Sequence, residues 1–194
     1  GGVDNIFPHH ENEIAQSEAA SDKPFVRIWL HCHHLIVDGE KMSKSKGNVF
    51  TLRDLLARGA DPLDLRFLLL ATHYRHTLNF TLEALEQARA SRQRLQDFLY
   101  ELSHRTFPEG GTPETLQAAE EAYRRFLEGL ADDLNISTAL TAVFELVRKS
   151  HGLISTGRLR AQDASRLKTL LQDFNRVLGV MVQDEDDELP AHLK

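Results

Sequence analysis

A single cysteine, Cys32, occurs in 194 residues, so no internal disulfide can form. A reducing compartment, the cytoplasm, is the expected setting. No stretch of roughly 18 apolar residues is present, so no membrane-spanning helix is expected. No signal-peptide pattern opens the chain. It starts on Gly1-Gly2-Val3-Asp4, without Met, and reads like the middle of something longer. An excess of positive charge is also missing. The net charge of −6 argues against a nucleic-acid binder held by bulk charge, although a local basic face is still compatible with it. No short repeat is visible, which argues against a solenoid. What is present, 41% hydrophobic and 27% charged residues, suffices for the core of one large domain or two small ones.

Two styles of sequence follow one another. Residues 1–50 are mixed and rich in His and Gly. The pattern predicts a helix over His9–Ala20, entered through Pro8. It predicts one or two buried strands over Phe25–Val37, from Val26, Ile28, Trp29, Leu30, Leu35, Ile36 and Val37. Asp38-Gly39 and Gly47-Asn48 are turn signals, and the charged run 40–46 between them is expected as an exposed loop. From Thr51 the spacing becomes helical. Short helices are expected from Leu52 to Ala57, stopped by Gly59, and after Asp61-Pro62. Four amphipathic helices are expected over 81–104, 112–130, 137–151 and 161–178, the second started by Thr112-Pro113 with Leu116, Ala119, Tyr123, Phe126, Leu127 and Leu130 as its apolar positions, the third capped by Ser137 and the last stopped by Gly179, forming an antiparallel bundle. The acidic tail 183–194 is expected as a linker or disordered segment.

Three groups of residues could carry chemistry. Lys41-Met42-Ser43-Lys44-Ser45 puts two lysines in a loop flanked by Gly39 and Gly47. Such a loop is either a solvated surface or a mobile cationic lid. His9 and Glu13 are four apart, on one face of the expected helix, where an imidazole and a carboxylate can share a metal or simply pair on the surface. The second His of a metalloprotease HExxH pattern is missing, because Ile14 stands there. Asp4 beside Gly1 and Gly2 is either a plain turn or a carboxylate placed where small residues let a ligand approach.

Lys41–Ser45 is the KMSKS signature of class I aminoacyl-tRNA synthetases, and the opening segment resembles the cysteinyl-tRNA synthetase block GGxDLxFPHHENExAQxEA, with Asn5 in place of Leu. The resemblance covers roughly residues 1–180. It implies a mainly α chain: the end of a Rossmann-type α/β catalytic domain (1–50), a stem-contact region (51–80), a DALR-like tRNA-binding antiparallel bundle (81–182) and a tail (183–194). It implies ATP-dependent activation of L-cysteine to an adenylate and transfer to tRNA(Cys). ATP with Mg2+ would be the co-substrate, a zinc ion the cofactor and a monomer the working form. Lys41 and Lys44 would stabilise the leaving pyrophosphate, and Lys44, Ser43, Asp4 and Gly2 would bind ATP. His9 and Glu13 would be two of four zinc ligands, the ion selecting a thiolate over a hydroxyl. The two remaining family ligands are upstream cysteines, so Cys32 is not assigned to the metal, and His31, His33 and His34 are left without a role.

The resemblance continues through Leu52-Arg53-Asp54-Leu55-Leu56, Leu65-Arg66-Phe67-Leu68-Leu69 and His73-Tyr74-Arg75, and through Asp132-Asp133-Leu134-Asn135, where Ile136-Ser137 replaces Thr-Pro. Arg66 and Arg75 are phosphate contacts or structural ion pairs. Arg89, Arg92, Arg94, Arg124, Arg125, Arg148 and Lys149 are an RNA face or solvated surface. No HIGH-type motif occurs in the chain, which is expected to be a fragment at both ends and inactive alone. Two alternatives share some of these features: a mycothiol-type ligase joining cysteine to an amino sugar, and a non-catalytic tRNA-binding fragment.

Overall fold

The computed structural model describes residues 1–182, so the tail expectation lies outside the described residues. These fold as two compact units. The first is Gly1–Thr51 with Thr72–Thr81; the second is Leu52–Ala71 with the chain from Leu82 onward.

In the first unit, a 3-10 turn Val3–Asn5 and a wider turn Ile6–His10, containing the cis Phe7–Pro8 peptide, lead into α1 (Glu11–Ser21). Regular helix therefore begins two residues later than expected, because Phe7 is extended and breaks the helical path. Three short strands form one sheet in the order β2 (Glu40–Lys41), β1 (Leu35–Val37), β3 (Leu78–Phe80). β1 and β2 make an antiparallel hairpin, Val37 opposite Glu40, through Asp38 and Gly39. Both turn residues have positive φ, 49° and 78°, which the Asp-Gly pair tolerates. β3 runs parallel to β1 in the register Leu35–Leu78, Val37–Phe80, and Val37 and Phe80 are buried.

The expected strand over Phe25–Val37 is mostly absent. Only Leu35–Val37 is a strand, and Phe25, Val26, Ile28, Trp29 and Leu30 are exposed. An apolar run becomes a buried strand only when neighbours pair its backbone and cover both faces. Among the described residues, 25–34 finds one isolated bridge, Gly2 to Cys32 in parallel sense.

The second unit holds α2 (Leu52–Ala57), α3 (Pro62–Ala71), α4 (Leu82–His104), α5 (Pro113–Ala131), α6 (Ile136–Ser155) and α7 (Ala161–Leu178). α2 ends as expected at Gly59, φ 85°. Asp61 Oδ1 accepts the Leu63 N–H at the start of α3. α5 packs on α6 and α7, while α4 packs on α3 and α7. Leu95, Phe98, Phe126, Leu167, Leu171 and Phe174 are fully buried in the centre. Each such side chain contributes about 1.5–3 kcal/mol of transfer free energy.

Two helix details differ from the sequence reading. On α5 the buried line is Thr115, Ala119, Ala122, Phe126 and Gly129, while Leu116, Tyr123 and Leu127 are partly exposed. Small residues win that face because α6 comes close: a Cβ on Gly129 would meet the Ala139 backbone nitrogen at 2.9 Å. The cap of α6 is Asn135, whose side chain accepts from Thr138 N–H, and Ser137 lies inside the first turn. The better acceptor thus sits one residue ahead of Ile136, and the helix starts there.

Long-range polar contacts fix the helix ends. Asp163, fully buried, accepts from Thr112 N–H at 2.9 Å, Thr112 hydroxyl at 3.1 Å and Arg160 N–H at 3.2 Å, tying the starts of α5 and α7. After α7, Asn175 Oδ1 accepts from the Val180 and Met181 N–H groups. The Gln96 carboxamide both donates to Val182 O, at 3.1 Å, and accepts from Val182 N–H, at 2.8 Å. Arg66, a candidate phosphate contact, instead donates to Leu178 O at 2.6 Å, so it is structural.

Candidate functional site

The candidate site residues all lie in the first unit. Backbone bonds Val3 N–H to Cys32 O (3.1 Å) and Cys32 N–H to Gly1 O (2.9 Å) lay the opening Gly-Gly segment beside the 29–34 stretch. This brings the HHENE turn and the histidine-rich stretch together. His9 Nε2 and Glu13 Oε1 are 3.6 Å apart, so the expected pair does meet. His10, which sequence reasoning passed over, joins them. Its Nε2 lies 3.9 Å from Glu13 Oε2, and the donor atoms of His9, His10 and Glu13 all lie within 4.8 Å of one another.

The other His10 nitrogen, Nδ1, is 2.8 Å from His31 Nε2. Trp29 lies against both rings, tilted to His10 at a centroid distance of 4.6 Å and stacked parallel to His31 at 6.0 Å. Burial first, and then the neighbouring His10, hold the His31 imidazole below the usual histidine range. A neutral His31 can exchange one hydrogen bond with His10 Nδ1, leaving His10 Nε2 directed toward Glu13. Two imidazoles and one carboxylate are a donor set that suits zinc, and tetrahedral zinc needs its donors only about 3.3 Å apart, close to the spacing found. The three residues fit the ion with small closing movements. Cys32 is exposed and stands outside this cluster.

Asp4 lies at the other side of the Gly-Gly segment. Its Oδ1 is 3.4 Å from His34 Nε2. A Cβ on Gly2 would collide with Asp4 Oδ1 and meet His34 Cε1 at 3.4 Å, so the glycine is what lets this carboxylate and imidazole approach the backbone. No single side chain signalled His34; the contact needs the parallel bridge.

The KMSKS run is more structured than the expected loop. Lys41 is the second residue of β2, and Lys44–Lys46 is a 3-10 turn. Asn48 closes it: its Oδ1 accepts the Ser43 N–H at 2.8 Å and its Nδ2 donates to Lys41 O at 3.3 Å. Lys46 Nζ pairs with Glu40 Oε2 at 2.8 Å across the base. Ser43 and Ser45 hydroxyls are 3.2 Å apart. Lys41 is exposed. The run begins on β2, the hairpin partner of β1, and Asn79, on β3, accepts the Gly39 N–H at the hairpin turn.

Two segments of the chain match known protein families. Residues 1–90 match the class I (C) tRNA synthetase catalytic domain, and residues 125–183 match the DALR domain. Over these two segments the chain is similar to class I tRNA synthetases. Within that class its curated relatives are cysteine--tRNA ligases. It is 49% identical to that of Chlamydia muridarum over 96% of this chain, and 46% identical to that of Protochlamydia amoebophila over its whole length. The chain spans 41% of the length of each. Its fold is also similar to that of Agrobacterium radiobacter LeuRS, solved as a ternary complex with tRNA and LeuAMS. The TM-score is 0.65 at 18% identity, covering 92% of this chain and 26% of that one.

Proposed function

We propose that this chain carries the KMSKS part of the active site and the adjoining helical domain of a cysteine--tRNA ligase, which activates L-cysteine with ATP and transfers it to tRNA(Cys). The observation that carries this reading is the KMSKS turn, closed by Asn48 on the hairpin of β1, in a chain so similar to such ligases. Residues 1–50 belong to the catalytic domain, 51–80 to a stem-contact region and 81–182 to a tRNA-binding bundle. The enzyme works in the cytoplasm as a monomer.

ATP with its Mg2+ enters as substrate. Its triphosphate is drawn to the turn bearing Lys41 and Lys44, and Ser43 offers a hydroxyl to a phosphate oxygen. Attack of the cysteine carboxylate on the α-phosphorus breaks the bond to the β-phosphate, and the negative charge that grows on pyrophosphate is stabilised by the two ammonium groups. Asp4 accepts hydrogen bonds from ribose hydroxyls, with Gly2 leaving room for the nucleotide. His9 and Glu13, with His10 beside them, hold zinc, which when bound supplies a soft site that takes a thiolate in preference to a hydroxyl.

The test is ATP–pyrophosphate exchange and tRNA charging by the complete reading frame. Lys44→Ala lowers exchange about a hundredfold, roughly 3 kcal/mol of transition-state stabilisation. Undiminished exchange would remove the role given to Lys44. Charging of an amino sugar in place of tRNA would overturn the ligase assignment itself.

A further inference from the structure

A carboxylate that is to accept hydrogen bonds from a ligand works best with a fixed direction. Asp4 lies on the single 3-10 turn Val3–Asn5. Among the described residues its one ion-pair partner is His34, whose Nε2 is 3.4 Å from Oδ1. The imidazole stands on an anchored stretch. Val3 N–H donates to Cys32 O and Cys32 N–H to Gly1 O on one side, and His33 N–H donates to Tyr74 O at 2.9 Å on the other. His34 then immediately precedes β1, the central strand of the sheet, paired with both β2 and β3. The firmly held member of the pair is therefore the histidine.

Gly2 completes the arrangement. A Cβ there would collide with Asp4 Oδ1 and stand 3.4 Å from His34 Cε1, so the carboxylate is folded back over the Gly2 backbone with one oxygen on the imidazole. The other oxygen, Oδ2, has no partner among the described residues. An N–H on Nε2 is present in the charged ring and in one neutral tautomer, so the contact needs no change of protonation. The side chains are 54% and 61% exposed, so the pair adds little to folding. What it sets is the direction of the carboxylate. The hairpin that His34 leads into carries Lys41 on β2, so the residue that aims Asp4 and the first lysine of the KMSKS run share one supersecondary element.

We propose that His34 is a positioning residue for nucleotide binding: its imidazole holds Asp4 Oδ1 over Gly2, so that Oδ2 is presented to the ribose hydroxyls of ATP. The proposal rests on the reading of Asp4 as the ribose acceptor. ATP–pyrophosphate exchange by the complete reading frame tests it. His34→Ala raises the KM for ATP about fivefold, the worth of one ordinary hydrogen bond, and leaves kcat and the KM for cysteine unchanged. His34→Gln, which keeps an N–H donor at similar reach, restores the KM. With 2′,3′-dideoxy-ATP, which has no ribose hydroxyls, the unaltered enzyme and His34→Ala have the same KM. An equal rise for ATP and the dideoxy nucleotide would overturn the positioning role. So would an unchanged KM for ATP in His34→Ala where Asp4→Ala raises it. Asp4→Ala without effect on the KM for ATP would overturn the ribose reading itself, and this proposal with it.

Discussion

Asn48 Oδ1 accepts the Ser43 backbone N–H at 2.8 Å, so the KMSKS turn is closed by a residue that lies outside it. The same carboxamide reaches back to Lys41 O. One side chain thus ties Lys41 to Ser43 within the Lys41–Ser45 run. Asn48→Ala removes two hydrogen bonds of about 1 kcal/mol each from a turn whose lysines must arrive together. We expect pyrophosphate exchange by the complete enzyme to fall about tenfold, with a raised KM for ATP and little change in melting temperature. A melting temperature that drops in step with activity would point to folding instead.

The His9–His10–Glu13 cluster gives a second test. His9→Ala or Glu13→Ala should abolish tight zinc binding, measured by competition with a chromophoric chelator. His10→Ala should weaken it about 10- to 100-fold, and His31→Ala should weaken it less, since His31 acts through His10. Unaltered affinity in the His10 variant would reduce the site to the expected pair.

Protonation of His31 has a definite sign. Its imidazole is held below the ordinary histidine range by burial and by His10. Folding therefore excludes the proton. The contribution to stability is whole above the unfolded value, about pH 6.5, and is lost as the pH falls through the lower folded value. An imidazole NMR titration should show His31 inflecting below the ordinary histidine range.

Asp64 and Arg92 form a buried ion pair between α3 and α4, with Asp61 Oδ2 at 3.2 Å from Arg92. Asp64→Ala leaves a buried guanidinium with one partial partner and should cost about 3 kcal/mol, the low end for such a break. Replacing both residues by Leu should recover most of that in urea unfolding. A double variant no better than the single one would mean that the pair is worth more than its desolvation.

Asp163 gathers three hydrogen bonds at the junction of α5 and α7. Asp163→Ala leaves buried N–H groups without acceptors, a loss of about 2–3 kcal/mol. Asp163→Asn keeps an acceptor and should lose less. The comparison is read from thermal unfolding.

Local signals were legible wherever the physics is local. The α2 stop at Gly59, the Thr112 cap and the Asp38-Gly39 hairpin all follow from neighbours in sequence. So does the meeting of His9 with Glu13, one helical turn apart. The remainder depends on distant partners. Apolar residues 25–30 look like a strand because β-branched and aromatic side chains favour one, but pairing is decided by what lies alongside. His10 and His31 are joined across 21 positions, Arg92 and Asp64 across 28, and nothing in either neighbourhood names the other. Arg92 read as a solvated or RNA-facing cation for the same reason, yet it is buried. On α5, hydrophobicity favoured Leu116 and Leu127 for the core, yet the close approach of α6 selected Ala122 and Gly129.

The carboxamides of Gln96 and Asn175 give Val180, Met181 and Val182 the hydrogen-bonding partners that a neighbouring strand would otherwise provide. A chain leaving its last helix usually frays within a turn, and its amides trade hydrogen with solvent almost freely. Here those three amides have side-chain acceptors, so they are expected to exchange more slowly than a frayed end, and a change at position 96 should free the last of them without altering the chain it holds.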